Sequence, residues 1–137
     1  MAVDALVMGL GRFGGGMADA ESLLTEGRRV LVTDLAEEAA LQASVTKLRE
    51  TFGALVSFRL GGHDQEDFAQ AELVIANPAV PQPWNNPYLQ TAWDTGATVT
   101  TEIARTLGQL SDRKTIVITG SAGKSTTTAM TLSLIHI

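Results

Sequence analysis

Cysteine is absent from the 137 residues. No disulfide framework and no thiolate metal site can form, and the cytoplasm is the expected compartment. Basic runs are absent as well. The formal net charge is −5, which argues against nucleic acid as the main partner. No stretch approaches the ~18 apolar residues that a membrane span needs. Met1–Leu10 is apolar but short, carries Asp4 and has no basic flank. It reads as a strand and not as a signal peptide. Low-complexity tracts are few. What is present is enough apolar side chain, 45% of residues, to bury a core, in a chain long enough for one domain and a little more.

Apolar strands and amphipathic helices alternate along the chain. Val3–Met8 is a short buried strand, followed at once by Gly9-Leu10-Gly11-Arg12-Phe13-Gly14, a G-x-G-x-x-G pattern. A helix is predicted from about Gly15 to Glu26, stopped by Gly27. Arg29–Thr33 is a second strand with Asp34 at its end. That acid stands at the spacing expected of one that meets a ribose, although an acid at a strand end also commonly caps the next helix. Gly9 makes the turn, Gly11 permits close backbone approach to a diphosphate, and Gly14 lets helix and strand pack.

Leu41, Val45, Leu48 and Phe52 share one face of a helix over Glu37–Phe52. Ala54–Leu60 is a third strand, and Gly61-Gly62-His63 turns the chain, with His63 read as a turn residue before a ligand. Gln65–Ala69 is one helical turn, and Leu73–Ala76 a fourth strand broken by Asn77-Pro78-Ala79-Val80-Pro81. Asn86 caps a helix with Pro87 at its first position. Trp84, Tyr88 and Trp93 read as packing residues before base-stacking platforms. Thr98–Thr100 is a fifth strand, and Thr101 caps a helix from Glu102 to about Gly108, where Glu102 suits the helix terminus. The alternation predicts a parallel, doubly wound α/β sheet with right-handed crossovers. Its ligands bind at the C-terminal strand ends, so Gly9–Gly14, Asp34, Gly61–His63 and Asn77–Val80 should line one rim.

After a short polar linker, Leu110–Lys114, comes Thr115–Thr126, TIVITGSAGKST. The apolar run predicts a sixth strand opening a second domain. It breaks into Gly120-Ser121-Ala122-Gly123-Lys124-Ser125-Thr126, a phosphate cradle. Backbone N–H groups of Gly120–Thr126 can converge on phosphate oxygens, and the following helix offers its positive end. Lys124 can reach the outer phosphates of ATP, and a hydroxyl of Ser125 or Thr126 can ligate Mg²⁺. The usual G-x-x-x-x-G-K-[ST] is shortened here, since Ile118 stands where its first glycine would be.

Two phosphate loops in one chain suit an enzyme that holds a nucleotide-linked substrate on the first and ATP on the second. On this point the chain resembles the Mur ligase family of peptidoglycan synthesis, most closely its D-glutamate-adding members. The resemblance runs to Thr131. It is carried by VMGLGRFGGGMA, by Thr33-Asp34, by LVIANPAVP, by GATVTTEI and by IVITGSAGKSTTT. Folylpolyglutamate-type ligases share the last motif but not the preceding domain, and the muramate–alanine-adding members usually show a different glycine loop.

The resemblance implies a Rossmann-like domain over residues 1–109 that binds UDP-N-acetylmuramoyl-L-alanine, a linker over 110–114, and the first strand, phosphate loop and helix of an ATP-binding domain over 115–137. Gly9, Gly11, Gly14 and the backbone N–H groups of Arg12 and Phe13 would meet the diphosphate, with Asp34 near the uridine. Gly120, Ser121, Ala122, Gly123, Lys124, Ser125 and Thr126 would hold ATP, with Lys124 catalytic and Ser125 or Thr126 on Mg²⁺. The implied reaction activates the substrate carboxylate as an acyl phosphate, which D-glutamate converts to an amide. A monomer is expected.

Two departures stand out. Ala122 replaces the family's usual Asn, and Asn77 and Ala79 replace Ser and Gly. Neither removes Gly123, Lys124 or the hydroxyls. With the second phosphate loop so near the last residue, the chain is expected to be an N-terminal fragment that binds without turning over. Leu132–Ile137, LSLIHI, resembles translated sequencing adapter, so native sequence is expected to stop near Thr131. Two readings compete: a nicotinamide- or flavin-binding oxidoreductase, supported by Gly9–Gly14 with Asp34, and a nucleotide-sensing module without turnover.

Overall fold

A computed structural model describes residues 3–11, 15–110 and 112–136. The chain divides into two compact units, Met1–Thr106 and Leu107–Ile137.

In the first unit the elements follow one another as β1 (Ala5–Met8), α1 (Gly15–Thr25), β2 (Val30–Asp34), α2 (Glu38–Phe52), β3 (Val56–Leu60), α3 (Gln65–Gln70), β4 (Leu73–Ala76), α4 (Pro87–Asp94) and β5 (Thr98–Thr100). Helix α5 (Glu102–Gln109) runs across the boundary between the units. The strands form one sheet in the order β3-β2-β1-β4-β5, and every pairing is parallel. Val7, for example, stands opposite Val32 on one side and Ile75 on the other.

Central position explains composition. β1 lies between β2 and β4, which pair both its edges, and helices pack on both its faces, so all four of its residues are buried. Alternation then sorts the side chains into two cores. Ala5, Val7, Val30, Val32 and Ile75 pack with Leu23 and Leu24 of α1 and Leu41, Val45 and Leu48 of α2. Leu6, Met8, Leu31, Val74 and Ala76 pack with Phe68 of α3 and Leu89 and Ala92 of α4. Each fully buried Leu, Val or Ile contributes about 1.5–3 kcal/mol of transfer free energy. This is the doubly wound arrangement that the alternation of elements predicts.

Local chemistry sets the ends. Asn86 caps α4 by accepting the N–H groups of Tyr88 and Leu89 on Oδ1 at 3.1 and 3.2 Å, with Pro87 following it. Asp64 caps α3 through Glu66 N–H. The start of the sheet is tied by Arg29, whose Nη2 donates to Asp4 Oδ1 at 2.7 Å and whose backbone N–H donates to Asp4 Oδ2 at 2.8 Å. Arg29 holds Asp4 well below the usual carboxylate range, at about 2. Strands β1 and β3 start later than expected: β1 begins at Ala5 and not at Val3, and β3 is also delayed. Gly53–Leu55 is a 3-10 turn, so β3 starts at Val56 and not at Ala54. Gly53 has φ 55° and its N–H returns to Arg49 O, which closes α2 and delays the strand.

In the second unit, helix α6 spans Lys124–Ile135. The predicted sixth strand does not form: no strand pairing occurs over residues 115–119. A strand needs a neighbouring edge for its N–H and C=O groups, and the described residues of this unit offer none. Instead Ile116 and Ile118 face Thr128, Thr131, Leu132 and Ile135 of α6 across a hollow of ≈ 150 Å³. Val117, Met130, Leu134 and other apolar side chains of this unit are exposed.

Candidate functional site

The strand order decides where a ligand can enter. From β1 the chain winds outward through β2 to β3, then returns to place β4 on the other side of β1. The loops leaving β1 and β4 therefore diverge, and a crevice opens at their C-terminal ends. Two clefts lie there. The first, ≈ 300 Å³, is floored by Gly9, Gly11, Gly15 and Gly16 and walled by Asp19, Asn77 and Glu102, among others. The second, ≈ 340 Å³, lies between Asp34, Leu35, His63, Val80, Pro81 and Tyr88. Met8, Gly9 and Ala79 line both.

In the first cleft the backbone is the working surface. Gly9 and Gly11 sit at φ 91° and 71°, where a side chain is strained. Gly16 is required for a different reason. A Cβ there would lie 2.0 Å from Gly9 O, so α1 can begin against the strand end only if this residue is bare. The N-terminus of α1 thus opens toward the crevice, carrying the positive end of its dipole. The predicted diphosphate contacts Arg12 and Phe13, and Gly14, lie outside the described residues. The close helix–strand contact expected of Gly14 is made, among the described residues, by Gly16. Asn77 follows β4 and folds into a turn in which its Oδ1 accepts Ala79 N–H at 2.8 Å.

Two acids share this cleft. Asp19 is buried on α1, and burial, helped by the nearby Glu102 charge and opposed by Arg105, raises its pKa to about 6. Glu102 lies in the first turn of α5, as its helix-terminus role predicts. Its Oε2 also stands 3.9 Å from the point where a Cβ on Gly15 would project.

Asp34, at the end of β2, ties three segments together. Oδ2 accepts the N–H groups of Leu10 and Gly11 at 2.8 and 3.2 Å, and Oδ1 accepts Ala36 N–H at 2.8 Å. Its carbonyl accepts Gly62 N–H at 3.0 Å. The glycine loop and the turn after β3 therefore hang from one residue. Sequence spacing placed Asp34 correctly at the rim, and the fold engages its carboxylate with protein backbone.

The second cleft is more apolar. Tyr88 packs on Phe68 with ring centroids 5.4 Å apart, and His63 meets both rings edge-on at 5.9 and 5.3 Å. The turn bearing His63 depends on Gly61, whose N–H donates to Ala36 O at 3.0 Å from a left-handed conformation of φ 79°. Burial lowers the His63 pKa, and the Asp34 charge opposes the shift. The expected packing role holds for Tyr88 but not for Trp84 and Trp93, which are 66% and 44% exposed. Asp19 had no sequence signal beyond its place on an amphipathic helix. His63 had the glycine pair before it.

The second unit carries the other glycine loop by itself. Gly123, at φ 79°, precedes α6, and Lys124 is the helix's first residue. Lys124 Nζ donates to Gly120 O at 2.6 Å, curling over its own loop. Ser125 and Thr126 lie in the first turn of α6, and residues from Gly120 to Thr126 are exposed. These residues fit a polyphosphate: a cation, two hydroxyls and N–H groups not yet consumed by the helix.

Comparison with known proteins agrees with the architecture. Residues 3–101 match the family model for the Mur ligase MurD-like, N-terminal domain. The chain is 44% identical over 130 residues to the UDP-N-acetylmuramoylalanine–D-glutamate ligase of Geobacter metallireducens, covering 92% of the chain and 26% of that relative. It is 45% identical over 132 residues to the ligase of the same name from Anaeromyxobacter dehalogenans, covering 94% and 26%. Against that from Roseiflexus the identity is 43% over 126 residues, covering 92% and 26%. The chain spans about a quarter of the length of these relatives, and from the first strand to the fifth it belongs to the Mur ligase family as a MurD-like N-terminal domain.

Proposed function

We propose that the first unit holds the uridine diphosphate end of UDP-N-acetylmuramoyl-L-alanine. The observation that carries this reading is the pair of joined clefts at the divergence of β1 and β4. The first suits a diphosphate, because glycine backbone and a helix N-terminus meet there without a Cβ in the way. The second suits a nucleoside, because it is largely apolar with a few polar groups, Asp34, His63 and Asn86, at its walls. Arg12 and Phe13 N–H groups would complete the diphosphate cradle. Asp34 orients the loop from behind and stands beside the nucleoside.

The second unit would take ATP, in a protein of the relatives' length. Lys124 would leave Gly120 O for the outer phosphates, with backbone N–H groups of residues 120–126 around them. Ser125 or Thr126 would hold Mg²⁺, which supplies charge neutralisation when bound. The reaction proposed for that longer protein is amide formation between the substrate's L-alanyl carboxylate and the amine of D-glutamate, through an acyl phosphate and with ADP released. The part played by these residues is positioning and charge compensation. Domain limits of 1–109, 110–114 and 115–137, action as a cytoplasmic monomer, and binding without turnover by the present chain belong to the same reading.

Calorimetric titration of the 137-residue chain with UDP and, separately, with NADH tests the first unit. Heat with UDP and none with NADH is expected. Saturable NADH binding with no response to UDP would return the domain to the oxidoreductase reading.

A further inference from the structure

His63 is a half-buried imidazole at the wall of the second cleft, to which the reading above gives no ligand contact of its own. Its Nδ1 is inaccessible and has no hydrogen-bond partner among the described residues. The ring packs edge-on against both Phe68 and Tyr88, which also touch each other, so the three rings form one triangular cluster. Its turn is tied to the end of β2 by Gly62 N–H on Asp34 O and to the loop after it by Gly61 N–H on Ala36 O, both 3.0 Å. The ring therefore cannot swing freely, and it lines the cleft with Asp34, Leu35 and Val80. Burial of Nδ1 leaves Nε2 as the nitrogen that can meet a ligand.

The tautomer follows from the same geometry. An unpaired N–H buried at Nδ1 costs more than an unpaired lone pair. Burial also disfavours the doubly protonated ring. The proton then sits on Nε2, which becomes a single fixed donor at the cleft wall. A donor held by packing reads a carbonyl and rejects an amine.

We propose that His63 is a specificity-determining residue that donates from Nε2 to the O4 carbonyl of uracil and so discriminates uracil from cytosine. O4 is the group that cytosine replaces with an amine, and it lies on the ring edge away from the ribose. The inference rests on the assignment of this cleft to the nucleoside.

The test is the affinity of the 137-residue chain for UDP and CDP, measured by calorimetry for the parent, His63→Phe and His63→Gln. Phe keeps the aromatic packing and removes the donor. Gln can restore an N–H near the position of Nε2. The parent should prefer UDP. His63→Phe should lose about ten-fold in UDP affinity with little change for CDP, the size expected of one hydrogen bond, and His63→Gln should regain UDP affinity but not the preference, because its rotatable amide can also accept from the cytosine amine. An unchanged UDP-to-CDP ratio in a folded His63→Phe protein overturns the inference, as does an equal loss for both nucleotides. Failure of the parent to bind UDP at all instead overturns the assignment of the cleft. Circular dichroism of each variant establishes folding, and ring ¹⁵N shifts of the parent report the tautomer directly. A proton found on Nδ1 also sinks the proposal.

Discussion

The carboxylate of Asp34 and the backbone N–H of Leu10 lie 2.8 Å apart across 24 residues of sequence. With Gly11 and Ala36 also bonded to it, this one side chain shapes the glycine loop before any ligand arrives. Preordering of this kind lowers the entropy that a ligand would otherwise have to supply on binding. Asp34→Ala would leave three N–H groups to find new acceptors. The expected result is a loss of about 1–3 kcal/mol in unfolding free energy, together with weaker UDP binding. Asp34→Asn keeps one acceptor oxygen and should fall between. Urea denaturation and UDP titration of both variants give the two readouts.

Gly16→Ala tests the close approach of α1 to β1. The added Cβ would collide with Gly9 O, a backbone atom that cannot swing away. Overpacking of about 1–3 kcal/mol or more is expected, although alanine favours helix at an ordinary position. Gly15→Ala is the control, because the nearest neighbour of its Cβ is the Glu102 carboxylate at 3.9 Å. Thermal melts should show a large drop for the first and a small change for the second.

Asp19 should make stability depend on pH in an unusual direction. Its folded pKa is about 6 against an ordinary 3.8, so the folded state holds the proton more tightly. Stability is then greatest below the ordinary value and falls as pH rises from about 4 through 6. Asp19→Asn removes the charge and should flatten that slope, with a gain of roughly 2 kcal/mol at neutral pH. Denaturation of parent and variant at pH 4, 5, 6 and 7 checks the sign.

Lys124→Ala addresses the second loop in a chain of the relatives' length. ATP affinity should fall about ten- to hundred-fold, the range for losing charge-assisted hydrogen bonds. UDP affinity should stay unchanged, because Lys124 belongs to the other unit. A parallel loss of both would show that the two nucleotide sites are not separate.

Limited trypsin digestion should cut first at Arg113 or Lys114, which are exposed in a stretch without regular structure. A surviving fragment ending there, still binding UDP, is expected. Mass spectrometry of the first product decides it, and protection through residue 136 would contradict the proposed linker at 110–114.

Much of this protein is determined by chemistry that acts over a few residues. Pro87 after Asn86, the glycines that follow α1, α2 and α4, and the apolar spacing of Leu41, Val45 and Leu48 place elements within a residue or two of where they stand. Both glycine loops are legible for the same reason, since a left-handed turn before a helix needs glycine wherever it occurs. Tertiary structure alone decided the strand order, which puts β4 beside β1 and so creates the crevice. It also decided that Asp34 would bind backbone, that Gly16 would carry the tight contact, and that Asp19 would face a cleft. None of these has a local signature, because each depends on atoms brought close by other strands. The apolar run Thr115–Thr119 makes the same point in reverse: side-chain pattern can favour a strand, but hydrogen bonds to a neighbouring edge are what make one.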